Sequence, residues 1–213
     1  LYYQLCHHYS DGTVGNTVAI EQFSLSTAWD SSTMSWTART DLPTGCTTSI
    51  QARGVDFKPD GTRIFIGNEG NNIIAQYDLT TPWDVTSMTN QQCSPNIASD
   101  ENKMRNIQLS SDGNFLYVGG NTGDDINKYS LTTPYNITSI SLETSYSISA
   151  QTGEMRGFIF SSNFTKLYVT GDDGSSSGDN VIYEYDVDCA GTITCLDAST
   201  NADVKAIIES NVE

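Results

Sequence analysis

The chain repeats itself, and the repeat constrains its fold more than any single motif. Arg53 opens R-G-V-D-F-K-P-D-G-T-R-I-F-I-G, Arg105 opens R-N-I-Q-L-S-S-D-G-N-F-L-Y-V-G, and Arg156 opens R-G-F-I-F-S-S-N-F-T-K-L-Y-V-T. These starts lie 52 and 51 residues apart. A fourth copy is split between the ends of the chain. V-K-A-I-I-E-S-N-V-E from Val204 matches the run from Met155, and L-Y-Y-Q-L from Leu1 matches the run from Leu167. A unit of this kind cannot bury both faces alone, so neighbouring units must stack and the array must be closed.

Within each unit the pattern is that of strands. Val55 and Phe57 alternate with Asp56, and Pro59-Asp60-Gly61 or Ser111-Asp112-Gly113 supplies the turn that follows. Ile64-Phe65-Ile66 and Leu116-Tyr117-Val118 are nearly all apolar, as a strand buried on both faces requires. A third strand is expected at residues 18–25, 73–79, 126–131 and 181–187, each with an aromatic residue at one place: Phe23, Tyr77, Tyr129 and Tyr185. A shared turn follows, L-S-T-A-W-D from Leu25, L-T-T-P-W-D from Leu79 and L-T-T-P-Y-N from Leu131, whose ring is expected to cover the blade edge. No long segment has helical spacing, and Ala202–Ser210 reads as a strand by its match to the repeat. Four strands per unit and four units predict an all-β chain, a four-bladed β-propeller forming one domain over 1–213, with boundaries near 53, 105, 156 and 204. The split blade is closed by the C-terminal strand Val204–Ser210, either in cis or in trans between subunits.

The run from Arg53 to Gly67 resembles the Y-V-T-N-type repeats of bacterial surface proteins and lactonase-like propellers. The run Y-D-L-T-T-P-W-D-V-T-S from Tyr77 resembles propeller repeats of marine bacterial and phage structural proteins. The likeness covers essentially the whole chain. It implies the fold far more than the activity, because propellers host many functions. Asn163-Phe164 departs from the usual Asp-Gly, and the fourth turn lacks Pro and Trp. Lactonase-type propellers hold a metal with acidic and amide side chains near the axis, where this chain has basic ones.

Charge narrows the partners. The 213 residues carry 26 acidic and 10 basic side chains, a formal net charge of −16, which repels nucleic-acid phosphates. No apolar run reaches membrane-spanning length, so no membrane insertion is expected. The chain begins at Leu1 rather than Met, as a removed leader or a partial sequence would explain.

Five groups of residues could carry chemistry. Arg53, Arg105, Arg156 and Lys205 share one repeat position and would converge on the axis, either as an anion site or as inter-blade ion pairs with Glu101, Glu154 or loop aspartates. Asp172, Asp173 and Asp179, with Asp124 and Asp125 in the preceding unit, form glycine-flexed acidic loops suited to calcium or to ordinary turns. Cys189 and Cys195 flank the turn that lacks Pro and Trp, where a disulfide would restore stiffness; Cys46 is left with Cys93 or Cys6. Asn136 and Asn163 head sequons in turns, which suggests glycosylation. The only imidazoles are the adjacent His7 and His8, and no G-x-S-x-G or H-E-x-x-H occurs.

The sequence therefore leads to a non-enzymatic structural or adhesive propeller, extracellular, at the cell surface or on a virion. Such a subunit would self-assemble or contact other extracellular proteins or glycans. The alternative is a ligand-binding or lactonase-like hydrolytic propeller with an axial anion site.

Overall fold

The computed structural model describes residues 2–8, 17–43, 45–46, 51–150, 152–172, 180–187 and 193–195, of which 2–8, 17, 180 and 193–195 are described by backbone alone. These residues form four antiparallel sheets in chain order. Sheet 1 contains β1 (Tyr2–His8), β2 (Thr17–Leu25) and β3 (Met34–Asp41). Sheet 2 contains β4 (Ala52–Phe57), β5 (Arg63–Asn68), β6 (Ile73–Leu79) and β7 (Met88–Cys93). Sheet 3 runs through β8 (Met104–Leu109), β9 (Phe115–Gly120), β10 (Asp125–Leu131) and β11 (Ile140–Ser147). Sheet 4 runs through β12 (Glu154–Phe160), β13 (Lys166–Asp172), β14 (Asn180–Val187) and β15 (Ile193–Cys195). Each is a meander in which sequential strands pair, so the period-2 patterning is satisfied locally. The tail Val204–Ser210, with Lys205, lies outside the described residues, as does closure of the ring through it.

The sheets stack face to face, and the core lies between them. Val18 and Ile20 of sheet 1 pack on Ile64, Ile66 and Tyr77 of sheet 2. Phe65 and Ile74, on the other face of sheet 2, pack on Leu116, Val118 and Tyr129 of sheet 3. Tyr117 and Ile126 of sheet 3 then pack on Leu167, Val169 and Tyr185 of sheet 4. The conserved-spacing aromatics Tyr77, Tyr129 and Tyr185 are thus buried on the backward face of their sheets. Alternation along each central strand sends one set of side chains backward and the next set forward, which is why those strands are apolar throughout.

Polar side chains repeat these junctions. Gln22 Oε1 accepts from Val85 N at 3.2 Å, and Gln76 Oε1, one unit later, accepts from Ile137 N at 3.1 Å. Asp56 Oδ2 accepts from Leu109 N at 2.6 Å, and Gln108 Oε1 accepts from Phe160 N at 2.8 Å. Enclosure between the strands pushes the Asp56 carboxyl up to about 6, against the pull of its bonds to the Leu109 and Phe57 amides.

The shared turn is a short 3-10 turn at Ser31–Thr33, Val85–Ser87 and Ile137–Ser139, capped by Asp30, Asp84 and Asn136. Its aromatic residue takes a left-handed backbone: φ is 66° at Trp29, 67° at Trp83 and 58° at Tyr135. At Trp83 and Tyr135 that conformation aims the ring at the turn between the first two strands of the same sheet, not at the sheet edge as the sequence suggested, whereas Trp29 is exposed. A Cβ at Gly61 would collide with the Trp83 indole, and one at Gly113 with the Tyr135 ring. Sheet 4 has Phe164 at the glycine position, with φ 55°, and its ring stacks on Phe160 at 5.0 Å.

Candidate functional site

The first strands β4, β8 and β12 are neighbours across successive sheets, which brings their opening arginines into one row. Arg53 Nε lies 2.6 Å from Glu69, and Arg105 bridges from Glu69 at 3.2 Å to Glu154 at 3.8 Å. Arg156 lies 2.9 Å from Glu154 and 3.7 Å from Asp172. The row alternates in sign across three sheets, so the arginines are tethered rather than an uncompensated cationic ring. Glu154 is one of the partners expected from sequence, whereas Glu69 is not. Glu101, also expected there, is instead fully buried and accepts from the amides of Lys103 at 2.6 Å and Thr122 at 3.2 Å. Burial raises its pKa.

Glu69, Asn121 and Asp172 occupy one repeat position at the end of the second strand. Because the middle one is neutral, Arg105 has no carboxylate in its own sheet there and reaches back to Glu69. Asn121 Nδ2 instead donates to Glu154 Oε1 at 3.0 Å. The turn from Asn121 to Asp124 then adds two acceptors. Asn121 Oδ1 and Asp124 Oδ1 are both buried atoms that accept no hydrogen bond among the described residues. Desolvation, followed by the charges of Asp172 and Glu154, raises the Asp124 pKa against the pull of Lys103, so this carboxyl senses two of the carboxylates that the arginines hold. Sequence reading found Asp124 only as part of an acidic loop.

Asp125 departs from Asp124. It begins β10, accepts from Asn127 Nδ2 at 2.8 Å, and burial with the charge of Glu101 pushes it up to about 6. Asp172 pairs with Arg156, while Asp173 and Asp179 lie outside the described residues. Among the described residues no three His, Cys, Asp or Glu side chains converge as a metal site. The guanidinium groups hold Glu69, Glu154 and Asp172, so this donor set does not suit the metal that the lactonase-type resemblance implies.

The sequon asparagines have a local task. Asn136 Oδ1 accepts from Thr138 N at 3.1 Å and Thr138 Oγ1 at 2.8 Å. Asn163 Oδ1 accepts from Thr165 N at 3.3 Å and Oγ1 at 2.9 Å. Asp60 and Asp84 make the same pair of bonds to Thr62 and Thr86. The N-x-T sequences are therefore the asparagine form of the D-x-T turn that Asp60 and Asp84 make at the equivalent places of sheet 2. Cys46 pairs with Cys93, with Cα atoms 5.5 Å apart across 47 residues, which resolves the open choice between Cys93 and Cys6. Cys189 and the side chain of Cys195 lie outside the described residues.

Stacked four-stranded meanders with their first strands gathered together define a β-propeller architecture. The chain belongs to the family described as "Lactonase, 7-bladed beta-propeller", whose model matches residues 31–206. A protein from Lactobacillus plantarum is similar in structure, with a TM-score of 0.55 and 20% identity over 90% of this chain and 54% of its own. A protein of unknown function from Desulfotomaculum acetoxidans has a TM-score of 0.55 at 15% identity, over 91% of this chain and 51% of its own. A protein proposed to be a 6-phosphogluconolactonase, from Bacteroides uniformis, has a TM-score of 0.50 at 16% identity, over 86% and 54%. The chain thus spans about half the length of these structures. No curated protein matches it. The lactonase part of the resemblance is borne out. Nothing in these comparisons bears on marine phage structural proteins, and none favours the structural or adhesive reading.

Proposed function

We propose that this chain is a hydrolytic propeller acting on a lactone that carries an anionic or hydroxyl-rich substituent, at the axial face between sheets 3 and 4. The observation that carries the reading is the pair of buried acceptors, Asn121 Oδ1 and Asp124 Oδ1, beside the row of Arg105, Glu154 and Arg156. A buried acceptor without a donor is costly, and a water or substrate hydroxyl supplies the donor it lacks. Asp124 takes the proton from that water as its oxygen attacks the lactone carbonyl carbon. Arg105 and Arg156 stabilise the oxyanion that forms. The ring C–O bond then breaks, its oxygen receives the proton, and an open hydroxy acid leaves. The raised pKa of Asp124 suits a base more than an ordinary surface carboxylate would. Family membership supports this reaction class. The Cys46–Cys93 disulfide favours a compartment outside the reducing cytosol.

Base-consumption assays with a panel of γ- and δ-lactones test the proposal. The chain is expected to open at least one of them. Asp124→Asn should lower kcat about 10²-fold or more with the fold intact. Arg105→Ala should lower kcat/KM by a similar factor. Absence of hydrolysis across the panel, or full activity in Asp124→Asn, rejects it.

A further inference from the structure

Two turns of the same backbone shape are held in different ways. In sheet 2 the turn 69–72 joins β5 to β6, and in sheet 3 the turn 121–124 joins β9 to β10. Each opens with an amide that donates to the segment before the first strand of its sheet, Glu69 N to Gln51 O at 2.9 Å and Asn121 N to Lys103 O at 3.2 Å. Each closes on a left-handed residue, Asn72 with φ 54° and Asp124 with φ 48°. The carbonyl of that residue accepts from Ile97 N at 2.9 Å in one turn and from Ile148 N at 2.8 Å in the other. The second amide is where the turns part. Gly70 N donates to Asn68 Oδ1 at 3.0 Å. Sheet 3 has Gly120 in place of Asn68, and Thr122 N donates instead to Glu101, from the segment between sheets 2 and 3.

Glu101 stands where a carboxylate is unfavourable. It is fully buried, and one oxygen, Oε1, accepts from Lys103 N at 2.6 Å and from Thr122 N at 3.2 Å. A Cβ at Gly120 would strike this carboxyl, so the glycine makes room for it. A neutral asparagine caps the equivalent amide one sheet earlier, without a buried charge. What Glu101 adds is reach. Lys103 lies two residues before Arg105, so a single oxygen ties the start of the arginine strand β8 to the turn that carries Asp124. Thr122 Oγ1 adds to the tie, donating to Asn102 Oδ1 at 2.6 Å and accepting from Asn102 N at 3.2 Å. The charges that act on Asp124 are those of Asp172, Glu154 and Lys103, so Glu101 reaches it through the backbone. The Glu101 charge is felt instead by Asp125 and Tyr129 on β10, and Arg105 on β8 stabilises it.

We infer that Glu101 is the positioning residue of this site, fixing the turn so that the Asp124 carboxyl stays buried and in register with Arg105. The inference rests on the lactonase reading only in treating Asp124 as the base.

Three variants of the 213-residue chain separate reach from charge. Glu101→Gln keeps an acceptor without the charge, Glu101→Asp keeps the charge but is one methylene short of Thr122 N, and Glu101→Ala has neither. Carbon NMR of carboxyl-labelled aspartate follows Asp124, whose signal is the one that Asp124→Asn removes. In Glu101→Ala water reaches the carboxyl, and its pKa should fall back to the ordinary carboxylate range. Exchange of the Thr122 amide should quicken about tenfold or more. Glu101→Asp should do the same, and it replaces the alanine variant if that one does not fold. Glu101→Gln should leave both readings unchanged and lower the pKa of Asp125, from which it removes a like charge. On a lactone that the chain opens, Glu101→Ala should lower kcat about tenfold with KM unchanged, and Glu101→Gln should retain it. Unchanged Asp124 ionisation and Thr122 exchange in Glu101→Ala and Glu101→Asp, or an equal loss in Glu101→Gln, overturns the inference. A chain that opens no lactone yet gives these NMR changes supports the tie and rejects the reaction; one that opens lactones without them overturns the tie and leaves the reaction.

Discussion

The two ends of this stack are built differently. At the first junction, sheet 1 packs on sheet 2 through Val18 and Ile20, Gln22 holds the Val85 amide, and the Cys46–Cys93 disulfide ties the segment after β3 to β7. At the far end, sheet 4 carries the same kind of forward face with no sheet over it and no covalent tie among the described residues. The comparison separates two properties of a repeat. Its strands are specified inside the unit, whereas burial of its forward face is conferred by the next unit.

Cutting the covalent tie is the largest perturbation. Replacing Cys46 and Cys93 together by Ser should cost about 3–4 kcal/mol, as expected for a loop of this length. Hydrogen exchange should quicken in β2 and β3 and remain unchanged in β13. A uniform loss across all sheets would show that the first junction is not a separable element.

The second perturbation puts the same substitution at equivalent places in adjacent sheets. Ile126→Ala empties a fully buried site and should cost about 3 kcal/mol in urea unfolding. Ile182→Ala, at a side chain 40% exposed, should cost less than about 1 kcal/mol. Equal costs would mean that the sheet 4 face is already covered.

A smaller effect comes from pH. Asp56 has a folded-state pKa of about 6, against 3.8 for an unperturbed aspartate. It therefore favours the folded state fully in acid, below the ordinary carboxylate range, and that contribution is lost as pH rises through about 6. Acidification from pH 7 to pH 5 should stabilise the chain, with Asp56 supplying on the order of 1–2 kcal/mol. Asp56→Asn should remove that share of the gain. Thermal melts that give both chains the same pH dependence would contradict this account of the junction between sheets 2 and 3.

What the sequence disclosed follows from how far each feature reaches along the chain. Strands were legible because alternation and Asp-Gly turns lie within a few residues; β6 spans the expected 73–79, and β14 differs by one residue. The junction glutamines were not legible, since Gln22 and Gln76 look like surface residues until the next sheet's amide is in place. Glu69 was missed because its repeat position holds Asn121 and Asp172 elsewhere, so no pattern marked it as the partner of two arginines. The Cys46–Cys93 separation of 47 residues is not the repeat interval, which left the pairing open. The turn role of Asn136 and Asn163 was not legible behind their sequons, because Asn and Asp serve equally as the acceptor of an x-Thr turn.

The account rests on the carboxyl of Asp124 acting among the charges of Asp172, Glu154 and Lys103. The pH dependence of kcat/KM for lactone opening tests it most directly, because the free enzyme's base reports its own ionisation there. The rate should rise with pH through a midpoint above the ordinary carboxylate range, and Asp124→Asn should abolish that limb. A profile of the same shape and height in Asp124→Asn would contradict the account.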